Sequence, residues 1–395
     1  MQPTNPMALE KRPTSPNDEA WLTGLLADSP RQSLQHTAVA NLFHHYIDNL
    51  APWYDLNDPE RLFAEVIPQR SFDVPVLFKA ILAFAASHRG RTVGSVDPKT
   101  VLAIHEACLS DLIPALQHVD RAVQAEYLAA TCLLRSFEIL NNDSRTRQEH
   151  LFGAFSFAVS ANINLDTWGL AQAGFWNYLR EDITVALECR RPLHLTIKHR
   201  TPESMTGAEQ DHSNSISFLL AKAINVSFAY DNNQRIPVHE DHLQALRSEL
   251  KAWTAGLPAC FEPTSTALKK GNAFPSLWML QPWHVAAQQY ASVTALLLAQ
   301  LDPGFDTSEE ALNHALRVCG LAYTNKNSSA RLNSFGPLSY CGRFLRDHRH
   351  RLALCDLLKE MAAETGWNVE PVLQDLYICW GESDLTSSMK DTPYV

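Results

Sequence analysis

The chain has 395 residues, of which 46% are hydrophobic and 19% are charged, so it can bury one large core or two to three small ones. Its net charge of −10 argues against a domain that grips duplex DNA by itself, because such domains carry a basic surface. Glycine is scarce, at 15 residues, and valine-rich alternating runs are absent, which favours helices over strands.

The cysteines and the N-terminal segment indicate the compartment. The 8 cysteines are scattered, form no C-x-x-C pair and fall mostly in apolar helical stretches, which predicts buried free thiols in a reducing environment. The start "MQPTNPMALEKRPTSPNDEA" has no apolar segment typical of a secretory signal. No apolar run has membrane-spanning length. We expect a soluble intracellular protein of the nucleus or cytoplasm.

Residues 1–35 are rich in proline, asparagine, serine and charge, which predicts a disordered tail, and residues 36–395 are predicted to form one multi-helix domain. The first predicted helix spans 37–50. In "APWYDLNDPERLFAEVIP", Asp58 is the predicted cap and Pro59 the first position of a helix that Pro68 ends. The next helix is predicted from Pro75 to near Gly90.

The remaining predicted elements continue the all-α pattern. Asp97 and Pro98 repeat the cap-and-proline start, and residues 124–140 are apolar on most sides, as in a central buried helix. A polar loop is predicted over 198–212. Helical segments follow to the end of the domain, and no strand pattern of comparable strength interrupts them.

Three sequence motifs follow one another along the chain: "YIDNLAPWYDLNDPERLFAEVIP", "WNYLREDITVALECRRPLHL", and "GPLSYCGRFLRDHRHRLALCDLLKEMAAETGW", which continues to "YICWG". This ordered set resembles the regulatory domain of fungal zinc-cluster transcription factors, over about residues 40–382. The landmarks are Pro52, Trp53, Asp55, Trp176, Tyr178, Leu179, Arg180, Asp182, Trp380 and Gly381. The resemblance implies an effector-sensing helical domain.

The N-terminal segment departs from that family. Its members carry a six-cysteine zinc cluster followed by basic residues, whereas no cysteine occurs here before Cys108. We therefore expect no zinc cluster in this tail and no direct nucleic-acid binding. A missed upstream exon encoding C-x-x-C and a basic run would restore an ordinary DNA-binding factor.

Common catalytic motifs are missing. H-E-x-x-H, the phosphate-binding G-x-x-x-x-G-K-[ST], G-x-G-x-x-G and G-x-S-x-G do not occur. In "NNDSRTRQEH", Glu149 falls one residue short of the terpene-cyclase spacing from Asn142, which favours a helix-capping loop. We expect no metal site and no cofactor.

Several polar and aromatic residues have two interpretations. Arg180 and Asp182 favour a buried ion pair, Arg180 with Asp55 or another acid, over a ligand clamp. His284 is more simply a structural histidine than a base. The aromatic set either lines a cavity for an apolar molecule or fills the helical core: Trp168, Trp176, Trp278, Trp283, Tyr290 and Tyr340.

The leading hypothesis is a transcription-factor-like regulator without its own DNA-binding domain, linked to a secondary-metabolite gene set. It would bind a small apolar metabolite or a regulatory protein, with Trp53, Trp176 and Trp283 as ligand contacts, and could form a homodimer. The alternative is an enzyme on the same scaffold that catalyses a cofactor-free cyclisation or pericyclic step. Its candidate polar contacts are Asp55, Arg180, His284 and Tyr340.

Overall fold

A computed structural model describes residues 29–117, 123–141, 169–195, 208–231, 234–235, 238–266, 272–302 and 309–382, and they form an all-α body. The first part contains α1 (Pro30–Ser33), α2 (Thr37–His45, continued by a π-helical turn over Tyr46–Leu50), α3 (Ala51–Tyr54), α4 (Leu62–Glu65), α5 (Ile67–Arg70), α6 (Pro75–Thr92), α7 (Pro98–Gln117) and α8 (Gln124–Asn141). Residues 1–28 of the predicted tail lie outside the described residues, and the helical turn α1 falls within the last part of that tail.

The second part contains α9 (Leu170–Cys189), α10 (Glu209–Ser227), α11 (Glu240–Ala255), α12 (Pro282–Ala299), α13 (Glu309–Thr324), α14 (Ser328–Gly342), α15 (His348–Thr365) and α16 (Glu370–Trp380). Two short antiparallel pairs, which the sequence does not predict, join β1 (Tyr230–Asp231) to β2 (Gln234–Arg235) and β3 (Thr264–Thr266) to β4 (Ser276–Trp278).

The predicted helix starts at the two prolines are confirmed. Helix α6 begins at Pro75, and α7 begins at Pro98 with Asp97 as its cap. The Asp97 carboxylate accepts the backbone N–H groups of Lys99 and Thr100, at 3.0 and 3.1 Å. Helix α8 is buried along most of its length, as its apolar pattern predicts.

The predictions for residues 58–70 are partly wrong. Asp58 does accept backbone N–H groups, but the helix begins at Leu62, after Arg61 in a left-handed conformation with φ of 52°. Pro68 lies in the first turn of α5 and does not end a helix. A proline is favourable there because the first-turn N–H groups have no partner inside the helix.

Apolar side chains form two large clusters. The first cluster consists mainly of residues from α2–α8, and the second mainly of residues from α9–α16. Leu116, Tyr127 and Leu332 pack against both clusters, so the two join in one continuous interior.

None of the eight cysteines forms a disulfide, as predicted. Five are buried, Cys260 is half-buried, and Cys189 and Cys379 are exposed, so the prediction of burial does not hold for every thiol. In the described parts of the chain, no helix combines the length and the apolar character needed to span a bilayer.

Candidate functional site

The first sequence motif forms a tight turn that begins within α3 and continues past its end. Both oxygens of the buried Asp55 carboxylate accept backbone N–H groups, from Phe63 and Ala64, at 2.9 Å each. Burial raises the pKa of Asp55 to about 7, and the two backbone hydrogen bonds oppose that rise. Asp55 therefore holds the turn against the start of α4.

Side chains from three helices of the second cluster bind the backbone of this turn. Ser329 Oγ donates a hydrogen bond to the Pro52 carbonyl at 2.8 Å. Arg180 Nη2 donates to the Tyr54 carbonyl at 3.3 Å, and Asn214 Nδ2 donates to the Asn57 carbonyl at 3.2 Å. The aromatic rings of Trp53 and Tyr54 belong to the first cluster. The turn over residues 52–58, which we call the junction turn, therefore joins the two clusters.

Arg180 is buried at the junction turn with part of its guanidinium unused. Its Nη2 also donates to Asn177 Oδ1 at 2.6 Å, and its Nη1 has no hydrogen-bond partner among the described residues. Burial lowers the pKa of Arg180, and the negative charges of Asp58 and Asp55, which lie beyond hydrogen-bond distance, oppose that shift. No ion pair to Arg180 occurs in the described parts of the chain, and Asp182 pairs instead with Arg191 at 3.3 Å. The predicted buried ion pair is thus found for Asp182, whereas Arg180 does not pair with Asp55 or with any other acid among the described residues.

Two asparagine side chains at the junction turn also have unused polar atoms. Both side-chain atoms of Asn57, and Oδ1 of Asn214, are buried without a hydrogen-bond partner among the described residues. A buried polar atom without a partner costs about 1–3 kcal/mol. With Arg180 Nη1, these atoms offer donors and acceptors that a small polar group could use.

The predicted ligand-binding tryptophans lie in different surroundings. Trp53 is buried in the first cluster, edge-on to Phe84 and His88 with ring centroids 5.8 and 5.3 Å apart. Trp176 is buried in the second cluster. Trp283 is half-buried and lies edge-on to the His284 ring at 5.7 Å.

The other predicted aromatic residues are dispersed. The Tyr340 hydroxyl donates to Gln300 Oε1, and its ring lies edge-on to Phe228 at 5.9 Å. Tyr290 is fully buried, whereas Trp278 is 54% exposed on β4 and cannot line an internal cavity. Trp168, like the 142–149 segment weighed for a cyclase motif, lies outside the described residues.

His284 belongs to a small cluster of potential metal ligands. Its Nε2 lies 3.1 Å from Glu209 Oε2, and Glu209 Oε1 accepts the Cys260 thiol at 3.2 Å. Burial lowers the pKa of His284, while a hydrogen bond from Cys260 is the main cause that lowers the pKa of Glu209. The imidazole is therefore neutral and the carboxylate ionised near neutral pH.

Sequence patterns give no sign of this cluster. Cys260 lies 51 positions from Glu209, and His284 lies 75 positions from it, so no motif spacing joins them. Glu209 also fell inside the predicted loop 198–212. Residues 198–207 lie outside the described residues, but Glu209 begins α10.

The surface also carries an open cavity between α11 and α12. It has a volume of about 590 Å³, and its lining includes Arg247, Lys251, Leu298 and Asp302. The seven residues predicted to bind a ligand or substrate are not part of its lining.

Comparisons with known proteins bear on the first motif. A family model described as "Fungal specific transcription factor domain" matches residues 41–164, which include the junction turn. The transcription activator AMTR1 of Alternaria alternata is 20% identical over 345 residues, covering 66% of this chain and 44% of that protein. The chain thus spans less than half the length of that relative. No solved structure matches it. Over residues 41–164, the chain therefore carries the fungal specific transcription factor domain that the resemblance implies.

Proposed function

We propose that this chain is the regulatory domain of a fungal transcription regulator and that it binds a small, largely apolar effector at the junction turn. The family match and the similarity to a transcription activator support the regulatory role. Because the chain spans 44% of that relative, the role of the whole protein is part of the proposal. The regulator acts in the nucleus and works together with a protein partner.

The unused polar atoms at the junction turn support the effector site. Arg180 Nη1 is a charged donor, and the Asn57 amide offers one donor and one acceptor, all buried. A small-molecule site typically combines apolar walls with a few such polar groups. The chemistry fits an apolar skeleton that carries a carbonyl, enolate or carboxylate oxygen.

The position of the junction turn gives a route from binding to regulation. Its carbonyl groups bind side chains from α9, α10 and α14, while its rings pack in the first cluster. A ligand that uses Arg180 or Asn57 would change how the two clusters meet. We propose a secondary-metabolite gene set as the target, because an apolar metabolite is the ligand class that this chemistry suits.

The geometry favours the regulator over the cyclase alternative. Both oxygens of Asp55 accept backbone N–H groups, so each of them already takes part in holding the junction turn. His284 and Tyr340 make their hydrogen bonds to Glu209 and Gln300. The alternative remains a prediction, and the same experiment tests it.

The test is a gene deletion in the source organism, with transcripts and small molecules measured in the same culture. We expect one coherent set of transcripts to change and the wild-type gene to restore it. Arg180→Met, confirmed as folded by circular dichroism, should restore it poorly, whereas the exposed Arg346→Met is the control. Unchanged transcripts would overturn the proposal. Unchanged transcripts with one accumulating uncyclised intermediate would establish the enzyme instead.

A further inference from the structure

Three potential metal ligands of different chemistry lie close together. Glu209 is the first residue of α10, Cys260 lies in the 3₁₀ turn Ala259–Phe261, and His284 lies in the first turn of α12. One ligand atom from each lies within 4.8 Å of the other two. Three separate elements therefore deliver an oxygen, a sulfur and a nitrogen to one point.

The spacing of these atoms suits a tetrahedral ion. Zinc binds carboxylate oxygen and imidazole nitrogen at about 2.0–2.2 Å and thiolate sulfur at about 2.3 Å, which puts neighbouring ligand atoms about 3.3–3.8 Å apart. The Glu209–His284 and Glu209–Cys260 distances are 3.1 and 3.2 Å. Small side-chain rotations would therefore open the cluster enough to take the ion.

The elements that carry the ligands are held together by other contacts. The His284 ring is fully buried against Phe261, with ring centroids 4.1 Å apart. Gln288 Nε2 donates to the Phe261 carbonyl at 2.8 Å, which holds the 3₁₀ turn on α12. Ser213 Oγ donates to the Trp283 carbonyl at 3.1 Å, which holds α10 on α12. The backbone elements that carry the three ligands are thus held together by contacts that need no metal.

We propose that Glu209, Cys260 and His284 form a zinc-binding site that is separate from the effector site. A thiolate, an imidazole and a carboxylate together suit Zn²⁺, whereas Mg²⁺ and Ca²⁺ prefer oxygen ligands alone. Glu209 is exposed and Cys260 half-exposed, so the fourth ligand comes from solvent and the ion exchanges readily.

Zinc binding displaces one proton from Cys260 and one from Nε2 of His284. The Cys260 thiol loses its proton to solvent as the sulfur–zinc bond forms. Zinc replaces the proton on His284 Nε2, and that proton moves to Nδ1, which has no hydrogen-bond partner among the described residues. One proton is released for each zinc ion bound.

The test uses the purified full chain after treatment with a chelator. Titration with Co²⁺, a spectroscopic substitute for zinc, should give a tetrahedral absorption spectrum with a thiolate-to-cobalt band at one equivalent, and Zn²⁺ should abolish it. Cys260→Ser should remove the thiolate band, and Glu209→Gln should weaken Zn²⁺ affinity at least about tenfold. Cys379→Ser, at another exposed thiol, is the matched control and should leave the spectrum unchanged.

The folding of the variants is checked separately. Glu209 and Cys260 are not buried, so we expect their variants to keep the wild-type far-ultraviolet circular dichroism. Zn²⁺ should raise the thermal midpoint of the wild type and of Cys379→Ser but not that of Cys260→Ser. Absence of stoichiometric metal binding, or a thiolate band that persists in Cys260→Ser, would overturn the proposal.

Discussion

Asp55 is a buried carboxylate that supports two backbone N–H groups, so its removal should be costly. Asp55→Ala leaves the N–H groups of Phe63 and Ala64 without their acceptor. We expect the free energy of unfolding to fall by about 1–3 kcal/mol. Urea denaturation measures it, with the exposed Asp73→Ala as a control that should change little.

The same residue predicts a signed pH effect. The pKa of Asp55 in the folded chain, about 7, lies above its usual value of 3.8, so the folded state binds this proton more tightly. The stability that Asp55 contributes is fully present below about pH 4 and declines as pH rises to about 7. The stability gap between wild type and Asp55→Ala should thus be larger at pH 5 than at pH 8, by about 1–3 kcal/mol. A gap that widens with rising pH would contradict this.

Two histidines, His45 on α2 and His88 on α6, form a chain of hydrogen bonds. Asn49 Nδ2 contacts His45 Nδ1 at 3.2 Å, His45 Nε2 contacts His88 Nδ1 at 3.0 Å, and His88 Nε2 contacts the Glu364 carbonyl at 3.3 Å. Each nitrogen has a matching donor or acceptor only when both rings are neutral. Burial accordingly lowers the pKa of His88 to about 4.

We therefore expect His88 to destabilise the fold in acid. Because its pKa is lower in the folded state, the unfolded state binds more protons between about pH 4 and 6.5. The free energy of unfolding should fall by about 1–2 kcal/mol from pH 7.5 to 5 through this residue. His88→Gln should remove that part of the pH dependence, and the exposed His44→Gln should not. Equal pH dependence in wild type and His88→Gln would refute the assignment.

At the scale of elements, a glycine allows α9 and α14 to approach closely. A Cβ atom on Gly336 would lie 2.8 Å from Thr184 Cα and 3.2 Å from its carbonyl oxygen. Both are backbone atoms, so they can move only if the helices separate. At Gly342, in the same helix, a Cβ atom would meet the side-chain ends of Leu354 and Leu376, which can rotate.

This contrast predicts unequal effects of the same substitution. Gly336→Ala should lower the free energy of unfolding by about 1–3 kcal/mol, because the two helix backbones must shift. Gly342→Ala should lower the free energy of unfolding by clearly less, since only side chains have to adjust. Thermal and urea denaturation of both variants measure this difference. If Gly342→Ala loses as much stability as Gly336→Ala, or more, α9 and α14 are not held at this distance.

At the scale of the whole molecule, the two clusters are continuous, so we expect one cooperative unfolding transition. Tryptophan fluorescence and far-ultraviolet circular dichroism should give coincident urea curves for the wild type. The double variant Ser329→Ala/Asn214→Ala removes two of the side-chain contacts to the junction turn. Its two curves should separate, because the clusters then lose part of what couples them.

The control for this prediction is Thr254→Ala, whose hydroxyl donates to Leu250 within its own helix. Its curves should stay coincident. Separate transitions in the wild type itself would show that the junction turn does not couple the two clusters.

Local features of the sequence determined the helical class and several helix boundaries. Helix α6 begins at Pro75 and α7 at Pro98 because proline fits the first turn, and the apolar pattern of α8 alone indicated its burial. The sequence could not place the start of α4, because Asp55 closes that turn from eight residues away and Arg61 adopts a left-handed conformation.

The sites depended on tertiary structure. The motif residues Asp55 and Arg180 were identified from sequence, but only the fold showed that one supports backbone N–H groups and the other binds a carbonyl oxygen. Glu209, Cys260 and His284 meet because α10, the 3₁₀ turn and α12 pack together. Helix formation follows from interactions within a few residues. Contacts between distant residues depend instead on how the helices pack, and no local sequence pattern encodes that packing.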